Sequence, residues 1–140
     1  MRKIALVFVL SLLLTACDVS ETPSNNIDTS PWTISATEAS AIMESGEPFW
    51  LFDVRTGEEF MSEHIPNAVS LPVNEISPDV VVVFRTTLES IDRDISILVY
   101  CRSGNRSATA AHMLSDMGFT KVYDFGGIID WPFGTVTPVN

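Results

Sequence analysis

One cysteine stands in the most reactive-looking segment of the chain, Val99-Tyr100-Cys101-Arg102-Ser103-Gly104-Asn105-Arg106-Ser107. The apolar run from Ile95 to Tyr100 predicts a buried strand ahead of it. Behind it, Arg106 to Met117 predicts a helix, with Ala110, Met113, Leu114 and Met117 on one face and Gly118 as its stop. Cys101 therefore sits on a tight turn from strand to helix. Backbone N–H groups of such a loop can converge into an anion nest. The start of the helix adds partial positive charge, and Arg102 and Arg106 add formal charge. All three favour the thiolate, the nucleophilic form of cysteine. Gly104 allows a backbone geometry that a side chain would forbid. The same cradle of Arg102, Ser103, Gly104, Asn105 and Arg106 would hold an anionic substrate. An inert core cysteine would not be followed at once by Arg, Ser, Gly, Asn and Arg.

The elements that must position this loop are legible around it. Ser35-Ala36-Thr37-Glu38 is a capping box, with Ile34 and Ala39 at staple spacing and Gly46 as the helix end. Phe49 to Val54 predicts a buried strand, Thr56 to Met61 one or two helical turns, and Ala68 to Leu71 a short strand closed by Pro72. Between Asp79 and Ile91, consecutive valines favour a strand, but Val80, Val83, Phe84, Thr87, Leu88 and Ile91 keep helical spacing. Ser77 as N-cap and Pro78 at the first helical position decide for a helix. Lys121 to Phe125 predicts the last strand, which Gly126-Gly127 turns into a short terminal helix. Strands alternating with helices predict an α/β fold, a small and mostly parallel central sheet with helices on both faces. Ligands of such sheets bind at the carboxyl ends of the strands, where Cys101, Asp53 and Arg55 all fall.

With these motifs in order, the sequence resembles the rhodanese family of sulfurtransferases over roughly Thr33 to Pro132. Asp53-Val54-Arg55 with Glu59-Phe60 looks like the family's first motif, and His64-Ile65-Pro66-Asn67-Ala68 is similar to the segment after it. Cys101 to Ser107 looks like the catalytic loop, and Gly126-Gly127-Ile128 with Trp131 like the closing motif. Asn67 replaces the family's usual Gly, and Asn also tolerates a left-handed backbone. The resemblance implies a single rhodanese module with Cys101 carrying a persulfide and with no cofactor. It implies a small sulfur-containing anion or persulfide as donor, and cyanide or a thiol as acceptor. Cysteine phosphatases space Cys and Arg by five residues around a phosphate ester. Here four residues separate Cys101 from Arg106, which suits a sulfur atom better. A cysteine phosphatase, an arsenate reductase and a non-turnover sulfur-carrier or binding module remain the alternatives.

Roles within the site follow from residue type. Arg102, beside the nucleophile, is the expected substrate contact, and Arg106 either binds substrate or closes the loop through an ion pair to the sheet. Asp53 and Arg55 are supporting residues, and Arg55 is expected to pair with Glu59. A general base is superfluous if Cys101 is already ionised, so His64 in its predicted loop is not assigned one. His112 falls mid-helix and is expected to be packed or solvated. Trp131 and Phe133 belong to the core or to a pocket wall. Two cysteines and two histidines far apart show no zinc spacing, so no metal is expected.

Composition sets the outer bounds. The chain has 140 residues, 8 basic and 18 acidic, for a formal charge of −10, which argues against nucleic-acid binding. With 46% hydrophobic and 19% charged residues, wholesale disorder is excluded. Part of that apolar content lies in the leader. Arg2 and Lys3 precede an apolar run from Ile4 to Ala16, roughly 20 Å as a helix and too short for a ~30 Å bilayer core. This reads as a secretory signal over residues 1–16. Leu14-Thr15-Ala16-Cys17 resembles the lipobox of bacterial lipoproteins, implying lipidation at Cys17 and a membrane anchor. A lipidated Cys17 leaves Cys101 as the single free thiol, and dithiol exchange then lacks its resolving cysteine. The expected location is the bacterial cell envelope, facing the periplasm or exterior, and Asp18 favours the inner membrane in an enterobacterial-type cell. Residues 17–31 read as lipidated terminus and polar tether, and 32–140 as the folded domain. Losing Arg2 and Lys3 takes the basic count from 8 to 6 against 18 acidic, a mature charge of −12.

Overall fold

The computed structural model describes residues 31–76 and 82–138; the leader, Cys17 and the Ser77-Pro78 cap lie outside them. Eleven elements follow one another among the described residues. They are β1 (Trp32–Thr33), α1 (Ala36–Glu44), β2 (Phe49–Asp53), α2 (Gly57–Ser62) and β3 (Val69–Ser70), then a 3₁₀ turn at Val73–Glu75. After it come α3 (Val82–Ser90), β4 (Ser96–Cys101), α4 (Asn105–Asp116), β5 (Val122–Gly127) and a 3₁₀ turn at Ile128–Asp130. The five strands form one sheet in the order β1-β5-β4-β2-β3, every pairing parallel. The architecture is thus the expected α/β one.

β4 lies at the centre and is buried on both faces, which is why it reads as an unbroken apolar run. Strand periodicity splits its side chains between two cores. Ile97, Val99 and Cys101 join Phe52, Val54, Leu88 and the α4 residues Ala110, Ala111 and Leu114. Leu98 and Tyr100 join Ala39 of α1, Leu51, Ile65 and Phe125. The catalytic-looking cysteine is therefore the last residue of the most enclosed strand, and its neighbours hold it in place.

Helix starts follow their local chemistry. Ser35 and Thr56 each accept the N–H three residues on, while Glu38 and Glu59 reach back to the cap N–H, so α1 and α2 both open with complete capping boxes. α3 resolves the valine-rich ambiguity as a helix, and Leu88 and Ile91 from that pattern are buried. Asn67 adopts φ +67°, the left-handed geometry expected of it.

Two features differ from the sequence-based expectation. β1 was not anticipated: it has only two residues, too few for any period, and is held by pairing with β5 and by Trp32 packing on Tyr123 at 5.1 Å. The last strand runs on to Gly127. Between Val99↔Asp124 and Cys101↔Gly127 the register shifts by one residue, a bulge on β5 that the glycine pair accommodates.

Candidate active site

The loop from Cys101 to Arg106 crosses from β4 into α4 at the carboxyl edge of the sheet. Cys101 is buried and free. Gly104, at φ +104°, caps α4 with no side-chain hydrogen bond, and its N–H donates to Cys101 Sγ at 3.1 Å. That backbone geometry is disfavoured for any residue with a Cβ. Burial pushes the Cys101 thiol up, but hydrogen bonding outweighs it. The N–H and hydroxyl of Ser107, with the N–H groups of Gly104 and Ser103, hold the thiol below its ordinary value.

Ser107 is the residue that sequence reasoning passed over. It is fully buried, and its hydroxyl lies 3.7 Å from Cys101 Sγ, 2.9 Å from Gly104 O and 3.2 Å from Gly126 O. A hydroxyl has one proton. With a neutral thiol it donates to a carbonyl and accepts the S–H; with a thiolate it can turn that proton to sulfur. The signal was available in the helix start, since Ser107 is the third residue of α4, in the first turn, where side chains lean back toward the preceding loop.

The arginines divide their labour in an unexpected way. Arg55 does not pair with Glu59. Its Nε and Nη2 lie on the Asp53 carboxylate, at 2.9 Å to Oδ1 and 2.6 Å to Oδ2, and Nη2 also donates to Glu63 O. Asp53 is fully buried at the end of β2, so the nearest guanidinium, two residues on, is drawn in to neutralise it. Burial lowers the Arg55 pKa, yet Asp53 more than reverses this and it stays charged.

Glu59 belongs instead to Arg106, which grips it bidentately at 2.7 and 2.9 Å. The pair joins α2 to α4, helix to helix rather than helix to sheet. The Arg106 hydrogen bonds, working against burial, bring the Glu59 carboxyl down to about 2. Glu59 likewise raises Arg106, with a smaller contribution from Cys101. Arg106 thus closes the loop with its charge already engaged. Arg102, Ser103 and Asn105 are exposed, and Arg102 makes no side-chain hydrogen bond or ion pair among the described residues.

Gly127 secures the loop from the β5 side. A Cβ there would collide with the Arg102 carbonyl and press on Ser103, so the two backbones meet where only glycine fits. The N–H of Ile129 donates to that same Arg102 carbonyl at 3.4 Å.

The remaining candidates lie elsewhere. His64 stacks on Phe60 at 3.9 Å, its Nδ1–H donates to Phe60 O at 3.0 Å, and its backbone pairs with Val136. That is a structural role. His112 is exposed. Trp131 and Phe133 pack edge to face, and together with Phe49 and Ile65 they line a cavity on the α1 side, apart from Cys101. Tyr100 is buried, takes a hydrogen bond from Ile65 N–H, and is held protonated by burial and by Asp53.

Comparison with known proteins agrees with this construction. The chain is 33% identical over 81 residues to the thiosulfate sulfurtransferase PspE of Escherichia coli, covering 58% of this chain and 71% of that protein. It is 33% identical over 98 residues to the putative sulfurtransferase YtwF of Bacillus subtilis, covering 70% and 86%. Among solved structures, a rhodanese with anions from E. coli aligns with TM-score 0.55 at 30% identity, covering 65% of this chain and 100% of that one. A rhodanese-like domain protein from Staphylococcus aureus aligns with TM-score 0.63 at 26% identity, covering 77% and 99%. The family model for the rhodanese-like domain matches residues 35–132, a stretch that holds both arginine–carboxylate pairs and the whole Cys101 loop, and the chain therefore belongs to that family.

Proposed function

We propose that the protein is a sulfurtransferase that moves a sulfane sulfur through a persulfide on Cys101. The thiolate attacks the outer sulfur of thiosulfate or a related donor, that S–S bond breaks, and sulfite leaves with the electron pair. The outer sulfur of Cys101–S–S⁻ then faces the backbone nest of residues 102–106. Cyanide or a thiol removes it and returns the thiolate, a ping-pong cycle. Arg102 meets the incoming anion, while Arg106 shapes the loop. The carrying observation is the buried Cys101 sulfur accepting the Gly104 N–H within a six-residue loop that contains no acid. The kinship with a thiosulfate sulfurtransferase supports the choice of donor.

The test is intact mass after incubation with thiosulfate, alongside thiosulfate:cyanide turnover. The native protein gains one sulfur and loses it to cyanide; Cys101→Ser does neither. A stable gain without turnover would identify a sulfur carrier instead, and hydrolysis of an aryl phosphate without sulfur loading would identify a phosphatase.

The same proposal includes anchorage. Cleavage before Cys17, lipidation of its thiol and residues 17–31 as tether would hold the domain at the cell envelope, facing the periplasm or the exterior. The support is the Leu14-Thr15-Ala16-Cys17 motif behind a basic and apolar leader. Cys17→Ser should release the protein from the membrane fraction; unchanged partition would overturn the anchor.

A further inference from the structure

On the α1 face of the sheet, apart from the Cys101 loop, lies a cavity of about 260 Å³. Three aromatic side chains wall it, those of Phe49, Trp131 and Phe133. The Trp131 ring is held from three directions. Phe125 packs on it at 5.4 Å, Phe133 meets it at 4.9 Å, and its indole N–H donates to the Gly134 carbonyl at 3.0 Å. Phe133 is nonetheless 51% exposed, so part of this ordered aromatic wall faces solvent. The faces of aromatic rings are negative and attract cations.

The polar part of the wall has the same sign. Glu44 is the last residue of α1, where a helix already presents its partially negative end, and no basic residue stands in that turn. Ser40, one turn earlier and buried, donates its hydroxyl to Glu44 Oε1 at 3.0 Å. Both residues line the cavity, so this bond holds the carboxylate at its rim. Glu44 has no other side-chain partner among the described residues. The Asn67 side chain, also on the wall, makes no hydrogen bond to a described residue. No described Lys, Arg or His lines the cavity.

We propose that this cavity receives the arginine side chain of a partner protein. A guanidinium is the cation that uses both parts of such a wall at once. Its plane stacks on an aromatic ring while its edge donates to a carboxylate. A quaternary ammonium would use the rings but has no donor for Glu44 or Asn67. A free amino acid fits less well, because its carboxylate would face Glu44 with no cation to answer it. The formal charge of −10 steers a basic partner toward this chain, and arginine is among the residues that most often anchor protein interfaces.

The probe is N-acetylarginine methylamide, followed by NMR through the indole N–H signals of Trp32, Trp50 and Trp131. The Trp131 signal is expected to shift and saturate with a dissociation constant of about 1–10 mM. Trp32 and Trp50 do not line the cavity and should stay in place. The citrulline analogue, similar in shape and uncharged, should bind at least about tenfold more weakly. Glu44→Gln keeps an acceptor for Ser40 and should weaken the blocked arginine about fivefold, and Phe133→Leu about threefold. Equal binding of the citrulline analogue, or unchanged affinity in Glu44→Gln, overturns the cation site. So does a Trp131 signal that never saturates in a protein with a native spectrum. Tighter binding of free arginine than of the blocked form overturns the protein partner in favour of a small molecule.

Discussion

Three helices of this molecule begin at the same edge of the domain's chemistry, yet they do not begin alike. α1 and α2 close their own N-termini: Ser35 with Glu38, and Thr56 with Glu59, form complete capping boxes. α4 starts at Gly104 with no side-chain cap, and the N–H of that residue goes to the Cys101 sulfur. The first N–H groups of a helix have no intrahelical acceptor and must find another. Where the sequence provides Ser, Thr and Glu, the helix satisfies itself and adds stability. Where it provides Gly, the donors are left for whatever anion the preceding strand delivers. The Cys101 thiol is held below its ordinary value by donors left free at the start of one helix, where two others spend theirs on their own caps.

The largest break in that contrast would come from giving α4 a cap of its own. Gly104→Ser puts a Cβ at φ +104°, costing about 1–2 kcal/mol in strain, and offers a hydroxyl to donors that now serve sulfur. Alkylation of Cys101 at neutral pH is expected to slow by at least about tenfold. An unchanged rate would show that the uncapped start is incidental.

Next in size is Ser107→Ala, which removes a group that helps lower the Cys101 thiol. The thiol should titrate at higher pH, so that alkylation is several-fold slower near neutrality and recovers as pH rises; a uniform loss at all pH values would point to misfolding instead. Glu59→Gln strikes both regions at once, since this carboxylate caps α2 and clamps Arg106. A loss of about 1 kcal/mol in urea titration is expected for a partly exposed pair. Because the folded-state value is depressed from 4.5 to about 2, the pair's contribution is present above the ordinary carboxylate range. It is lost as pH falls from there toward 2, and the variant should lack that part of the acid sensitivity. The smallest functional effect is expected from Ser35→Ala, which removes the α1 cap at a cost of about 1 kcal/mol in stability while sulfur transfer stays unchanged.

What could be read ahead of the structure was what is local. The capping box at Ser35, the central strand before Cys101 and the turn at Gly104 are each set by a few neighbouring residues. The valine run is a helix over Val82–Ser90, as its helical spacing allowed, while the Ser77-Pro78 start that decided the reading lies outside the described residues. Partner choice across the fold was not legible in the same way. Glu59 lies 47 residues from Arg106 and only four from Arg55, yet it takes the distant one, because packing sets α2 beside α4 while buried Asp53 claims Arg55. β1 escaped notice for a different reason: two residues carry no pattern, and only the pairing offered by β5 makes them a strand. The nest of backbone N–H groups around the sulfur was legible from the tight strand-to-helix turn, whereas the Ser107 hydroxyl was not, since a serine in a helix's first turn is unremarkable until packing sets it beside Cys101.

The same two short strands have a bearing on behaviour in a crowded compartment. β1 and β3 are the rims of the sheet, each two residues long, beside central strands of five and six. A sheet recruits another chain through a row of unspent backbone donors and acceptors along its rim, and a rim of two residues offers almost none. Where β3 covers Phe52 and Asp53 of β2, and β1 covers Tyr123 and Asp124 of β5, the described sheet therefore offers an incoming strand only two residues of rim on either side.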